Sequence, residues 1–145
     1  MTTTMHKRTI HVDAPVAAVF DYIKDPRHMW VGFAEEKAPN FTDVTMTPEG
    51  VGSTYTWNTS ILFFHMHGVM TREECVANKQ IVDRSSTGPV WTYDFEQDET
   101  GTLLTLSYEY STKVPLMDKA LDSIFWNGDR DLDRMLAGYK KEIEG

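Results

Sequence analysis

Apolar positions repeat with two different periods along the chain. From Thr4 to Val12 they alternate, with Ile10 and Val12 on one side, which predicts a strand. Asp13 is placed to cap a helix, and Pro15 falls near its first turn, where a missing N–H costs nothing. Val16, Val19, Phe20 and Ile23 then keep helical spacing and stop before Pro26. Arg27 to Ala34 reads as a second, short helix carrying Met29, Trp30 and Phe33.

From Phe41 onwards the period is two. Val44 and Met46 form a brief strand before the turn at Pro48 to Gly52. Tyr55, Trp57 and Thr59 share one face of the next strand. Phe63 to Cys75 reads as a longer strand with a bend at Gly68, and Gln80 to Arg84 as another. Trp91, Tyr93 and Phe95 alternate with Thr92 and Asp94. Leu104, Leu106, Tyr108 and Tyr110 alternate with Thr105, Ser107 and Glu109, so the two segments predict an antiparallel hairpin across the turn at 97–102.

After Pro115 the period returns to helical. Met117, Leu121, Ile124, Phe125, Gly128, Leu132, Met135, Leu136, Tyr139 and Ile143 make one apolar stripe. A helix from Leu116 to Ile143 would be about 40 Å long, enough to cross a whole sheet. Asp118 and Asp122 near its start, and Lys140 and Lys141 near its end, suit the helix dipole. Asn127-Gly128 is a candidate bend. The sum is a single α+β domain over residues 1–145: one strand, two short helices, about six more antiparallel strands and a long C-terminal helix. A sheet with one apolar face needs a cover, and only that helix can supply most of it.

Composition sharpens this in two ways. Four Trp, six Tyr, seven Phe and eight Met are more flat and adaptable side chains than a minimal core of this size demands. The net charge of −8, with no basic stripe, argues against nucleic acid as a partner and against insertion into anionic membranes. No apolar run approaches a membrane span, and Met1 to Arg8 lacks the apolar stretch of a secretory signal. Cys75 is the lone cysteine, which removes an internal disulfide and any Cys-based zinc site. A cytoplasmic protein, monomeric or homodimeric, is the expectation.

Three segments resemble the START-like (SRPBCC) superfamily in its polyketide cyclase/dehydrase branch, with the Bet v 1-like helix-grip fold. Ile10-His11-Val12-Asp13-Ala14-Pro15, followed by Val19-Phe20-Asp21-Tyr22-Ile23 and Asp25, is similar to that family's opening strand and helix. Gly50-Val51-Gly52 with Tyr55-Thr56-Trp57 resembles its glycine turn and aromatic strand. Gly101-Thr102-Leu103-Leu104-Thr105-Leu106 resembles the hairpin that precedes its last helix. The resemblance implies a curved sheet wrapped around the long helix, with an apolar cavity between them. Tyr55, Trp57, Trp91, Tyr93, Phe95, Leu106, Tyr108 and Tyr110 would then face inward. Leu121, Phe125 and Gly128 would oppose them from the helix, and Trp30 and Phe33 would lie near the mouth. The resembling motifs carry no catalytic group, and the fold alone does not choose a function.

Chemistry-bearing residues are sparse. His65 and His67 point to one face of a strand, as two metal ligands or a general acid and base would. A metal lacks its remaining ligands, because Glu73 lies about 20 Å along an extended strand from His67. Catalysis by the pair requires the odd-numbered face to point inward. Met66 and Met70 favour the even face, whereas Phe63 and Val69 favour the odd one. No Gly-x-Ser-x-Gly elbow, phosphate-binding glycine loop or cofactor motif is present. The run Asp129 to Arg134 reads as the solvated side of the last helix, and Asp21 and Asp25 as capping and turn residues. The leading expectation is binding of a small hydrophobic or aromatic molecule, lipid- or polyketide-like, in a cavity between sheet and helix. A cyclase, aromatase or dehydratase working through a cavity His or Tyr is the alternative. A protein-interaction module is the third.

Overall fold

The computed structural model describes residues 2–29, 40–61, 64–112 and 128–145. Seven strands form one antiparallel sheet: β1 (Thr2–Val12), β2 (Asn40–Thr45), β3 (Thr54–Ile61), β4 (Phe64–Val76), β5 (Gln80–Ser85), β6 (Val90–Gln97) and β7 (Thr102–Thr112). Their order is β1-β7-β6-β5-β4-β3-β2. β2 to β7 thus form a continuous meander, and β1 closes on the last strand. Helix α1 (Val16–Ile23) and a single 3-10 turn (Pro26–His28) follow β1, and helix α2 (Gly128–Glu144) ends the chain. This is a helix-grip arrangement. The expected helix from Leu116 is seen from Gly128 onward, and residues 116–127 lie outside the described residues. No helix among the described residues is long and apolar enough to cross a membrane.

Strand alternation sorts side chains to two faces. Ile81, Trp91, Tyr93, Phe95, Leu104 and Leu106 are buried on the inner face. Leu132, Met135, Leu136 and Tyr139, spaced 3 and 4 apart on α2, meet them in one core. Helix α1 adds Val19, Phe20 and Ile23, and the Phe20 ring stands edge-on to Phe95 at 5.3 Å between centroids. Asp13 does not cap α1. Pro15 precedes the first turn without any side-chain cap, and the Asp13 backbone N–H instead donates to the Glu144 carboxylate. Where the second helix is expected, the described residues form the 3-10 turn, in which Asp25 accepts hydrogen bonds from the backbone and side chain of Arg27. Residues 30–39 lie outside the described residues.

One end of the sheet is sealed. The Thr102 hydroxyl donates to the Ala14 carbonyl, and a Cβ at Gly101 would lie 2.3 Å from the Val12 carbonyl oxygen. At the same end Lys140 donates to the carbonyl of His11, tying the C-terminal turn of α2 to β1. Toward the opposite end of the inner face Trp57 and Tyr108 are half-buried.

Two irregularities set which side chains face inward. In β2, Asp43 adopts φ 50° and the register shifts between Thr42 and Thr45, so Phe41 and Val44 both pack on the core despite their odd spacing. In β4 the shift falls between Arg72 and Glu74, so Arg72 points inward with Met70 and, past the bulge, odd-numbered Cys75 packs inward as well. β3 and β4 pair without interruption from Thr54–Thr71 to Ile61–Phe64, so no bulge falls at Gly68. Gly68 serves space instead. A Cβ there would lie 2.8–2.9 Å from Nε1, Cε2 and Cζ2 of Trp57. Gly68→Ala is therefore expected to displace the Trp57 indole and cost about 1–3 kcal/mol, as overpacking typically does. A denaturation midpoint unchanged by that substitution would mean the ring moves aside freely.

Candidate functional site

Successive rows cross the inner face, each built from register partners. The middle row runs His6–Tyr108–Trp91–Asp83–Arg72 from β1 to β4. Its charged end is a deeply buried ion pair, with Arg72 2% and Asp83 1% exposed. The guanidinium grips Asp83 with two nitrogens: Nε donates to Oδ1 at 2.8 Å and Nη2 to Oδ2 at 3.1 Å. Its Nη1 donates to the Lys24 carbonyl at 2.8 Å, beyond the C-terminus of α1. The Tyr55 hydroxyl donates to Asp83 Oδ2 at 2.7 Å. Burial alone would lower the Arg72 pKa, but the hydrogen bonds and charge of Asp83 outweigh it and hold the guanidinium charged. Tyr55 is pushed well above the usual tyrosine range, first by burial and then by the neighbouring Asp83 charge.

A second buried group sits beside the first. The Tyr139 hydroxyl donates to the Met29 carbonyl at 2.7 Å. The Tyr93 ring lies beside that of Tyr139, with centroids 6.4 Å apart. Burial raises both phenols. Together these groups fasten residues 24–29 to the sheet floor and to α2. All of their strong donors and acceptors are mutually engaged, so this layer is a floor and a fastener rather than an open reactive centre.

The rim is different. Trp57 and Tyr108 are half-buried, whereas Tyr55, Tyr93, Phe95 and Leu106 are buried. Trp91 and Tyr110, also buried, lie on either side of Tyr108. Trp91 and Tyr108 are 4.4 Å apart between centroids, and Tyr108 and Tyr110 are 5.2 Å apart. Trp57 Nε1 donates to Ser85 Oγ at 3.3 Å. Across from this aromatic shelf, the start of α2 meets the inner side of β1. Asp129 lies 3.2 Å from Nδ1 of His6, and Asp133 takes two hydrogen bonds from Arg8. The acidic run of α2 is thus not simply a solvated face: Asp129 and Asp133 bond to β1, and Asp131 is buried.

The site residues expected from sequence divide accordingly. Tyr55, Trp91, Tyr93, Phe95 and Leu106 lie in the buried inner layer, and Trp57 and Tyr108 on the half-exposed shelf. Trp30, Phe33, Leu121 and Phe125 lie outside the described residues. His67 is exposed, while Gly68 and Met70 on either side of the alternation turn inward. The even face of β4 is therefore the inner one, and His67 looks away from the shelf. His65 lies in β4, and its side chain is outside the described residues. Among the described residues no three His, Cys, Asp or Glu gather to hold a metal. Arg72, Asp83, Tyr139 and His6 were not singled out from sequence. The available signal was that Arg72 and Asp83 occupy the parity of Met70 and Ile81, two opposite charges at inward positions.

No protein-family model matches the sequence, and no curated protein does. Solved structures do. The Zhui aromatase/cyclase from Streptomyces sp. R1128 superposes with a TM-score of 0.68 at 16% identity, over 99% of this chain and 94% of that one. Ara h 8.0201 gives a TM-score of 0.71 at 10% identity, over 99% of each chain. An AHSA1-like protein from Aeromonas hydrophila gives 0.62 at 14% identity, over 97% and 92%. At these identities the shared property is the fold: the chain has the Bet v 1-like helix-grip fold.

Proposed function

We propose that the chain binds a small hydrophobic or aromatic molecule between the inner face of the sheet and α2. The observation that carries this reading is the change along the inner face. One end is sealed by α1, Thr102 and the buried tyrosine and arginine layer, and toward the other Trp57 and Tyr108 are half-buried and carry polar tips. A flat apolar body laid on such a shelf gains roughly 25 cal/mol per Å² removed from water. Polar groups at the rim orient it. The likeness in fold to the Zhui aromatase/cyclase supports an interior of this kind.

The test uses the full chain. Native mass spectrometry of freshly purified protein is expected to reveal a bound small molecule, or the emptied protein to bind phenylnaphthylamine at one per chain. Trp57→Ala should weaken the probe about tenfold. Absence of both a co-purified mass and saturable probe binding would overturn the reading. The enzymatic alternative loses His67 to the outer face; among the described residues, a tyrosine hydroxyl or His6 is left on the inner side to move a proton.

A further inference from the structure

The turn between β5 and β6 fixes the direction of a short hydroxyl chain. Ser85 is buried and faces inward. Its Oγ receives three partners: Trp57 Nε1 at 3.3 Å, the Thr87 backbone N–H at 3.2 Å and the Thr87 hydroxyl at 2.8 Å. The first two can only donate. They occupy both lone pairs of the serine oxygen, so its own proton must go to Thr87 Oγ1. The Thr87 hydroxyl then accepts from Ser85, and its proton is left to point elsewhere. No described residue takes that proton.

The turn is held firmly enough for this order to persist. Ser85 N–H donates to the Pro89 carbonyl at 2.8 Å, and Gly88 N–H to the Ser85 carbonyl at 2.9 Å. Ser86 is locked to Val69 of β4 in both directions, through its N–H to the Val69 carbonyl and its Oγ from the Val69 N–H. Thr87 itself is exposed, so its hydroxyl stands at the rim, one link from the half-buried Trp57 indole. From this we infer that Thr87 is the polar recognition point of the ligand site, a directed donor that selects an aromatic or apolar molecule bearing a hydrogen-bond acceptor, such as a ketone, quinone or ester carbonyl, beside the ring that lies on Trp57.

The inference rests on the binding reading above, and the experiment separates the two. Equilibrium dialysis compares methyl naphthyl ketone with isopropenylnaphthalene, its hydrocarbon isostere, on the full chain. In Thr87→Val the ketone is expected to bind about fivefold more weakly with the hydrocarbon unchanged, the loss of one hydrogen bond. Thr87→Ser, which keeps the hydroxyl, should retain the wild-type ratio. A ketone-to-hydrocarbon ratio that is equal in wild type and Thr87→Val overturns the inference and leaves hydrophobic binding standing. Failure of both probes to bind wild type overturns the binding reading and the inference with it.

Discussion

Asp83→Ala is expected to destabilise the protein by about 3–5 kcal/mol, a large share of the roughly 5–15 kcal/mol that holds a typical domain folded. The reason lies in what remains. Arg72 stays charged and 2% exposed, and it keeps only the Lys24 carbonyl as an anchor. The Tyr55 hydroxyl loses its acceptor at the same time. Asp83→Asn keeps the shape but not the charge, and should fall between Ala and wild type. The double variant Arg72→Met with Asp83→Leu removes both charges and should recover most of the loss. Urea unfolding of the three variants checks this. A cost below about 1 kcal/mol for Asp83→Ala would mean that water reaches the guanidinium. Tyr55→Phe, which removes a single hydrogen bond, should cost only about 1 kcal/mol.

Alkaline pH is expected to unfold the protein cooperatively just above the ordinary tyrosine range. Tyr55, Tyr93 and Tyr139 are buried, and burial is the leading cause that raises all three. In the unfolded chain each ionises near pH 10, as free tyrosine does. In the folded chain each keeps its proton well beyond that. The unfolded state therefore binds fewer protons above about pH 10, and stability falls as pH rises. The contribution of these phenols is fully present below about pH 10 and is lost through the window above it. Each phenol contributes a slope of about 1.4 kcal/mol per pH unit, so the three together give roughly 4. Circular dichroism followed against pH should show one transition, with phenolate absorbance of the buried tyrosines appearing together with it. Tyr93→Phe should lower the slope by about a third. Full ionisation of all six tyrosines in a protein that is still folded would contradict this account.

The sheet was legible because period two is a strong signal and its hairpins are short. Trp91, Tyr93 and Phe95 opposite Tyr108, Leu106 and Leu104 needed nothing beyond alternation. Alternation assigns a face and says nothing of depth, which is why buried Tyr55 and half-buried Trp57 looked alike in sequence. Arg72 was hidden by the bulge after it. The polar string Thr71 to Glu74 reads as a strand running out into solvent, and only the register that sets Arg72 opposite Asp83 reveals the pair. His67 could not be placed because its neighbours voted both ways, and Gly68, which broke the tie, carries no hydrophobic signal. The ion pairs made by the solvated face of α2 were hidden for a related reason. Its partners, His6 and Arg8, lie on an inner strand face more than a hundred residues earlier.

The placing of β1 beside β7 also has a consequence for the order of assembly. β2 to β7 pair with their sequence neighbours, so each hairpin closes a short loop. β1 pairs Val12 with Thr102 and Thr2 with Thr112, across all the other strands in sequence. Loop closure of that span carries the largest entropic penalty in the sheet, and contacts of high sequence separation slow folding. During synthesis the first strand emerges first and finds its partner last. Until then its inward side, with Ile10 and Val12, has no sheet to join. The strand that opens the sequence is thus the one that completes the sheet.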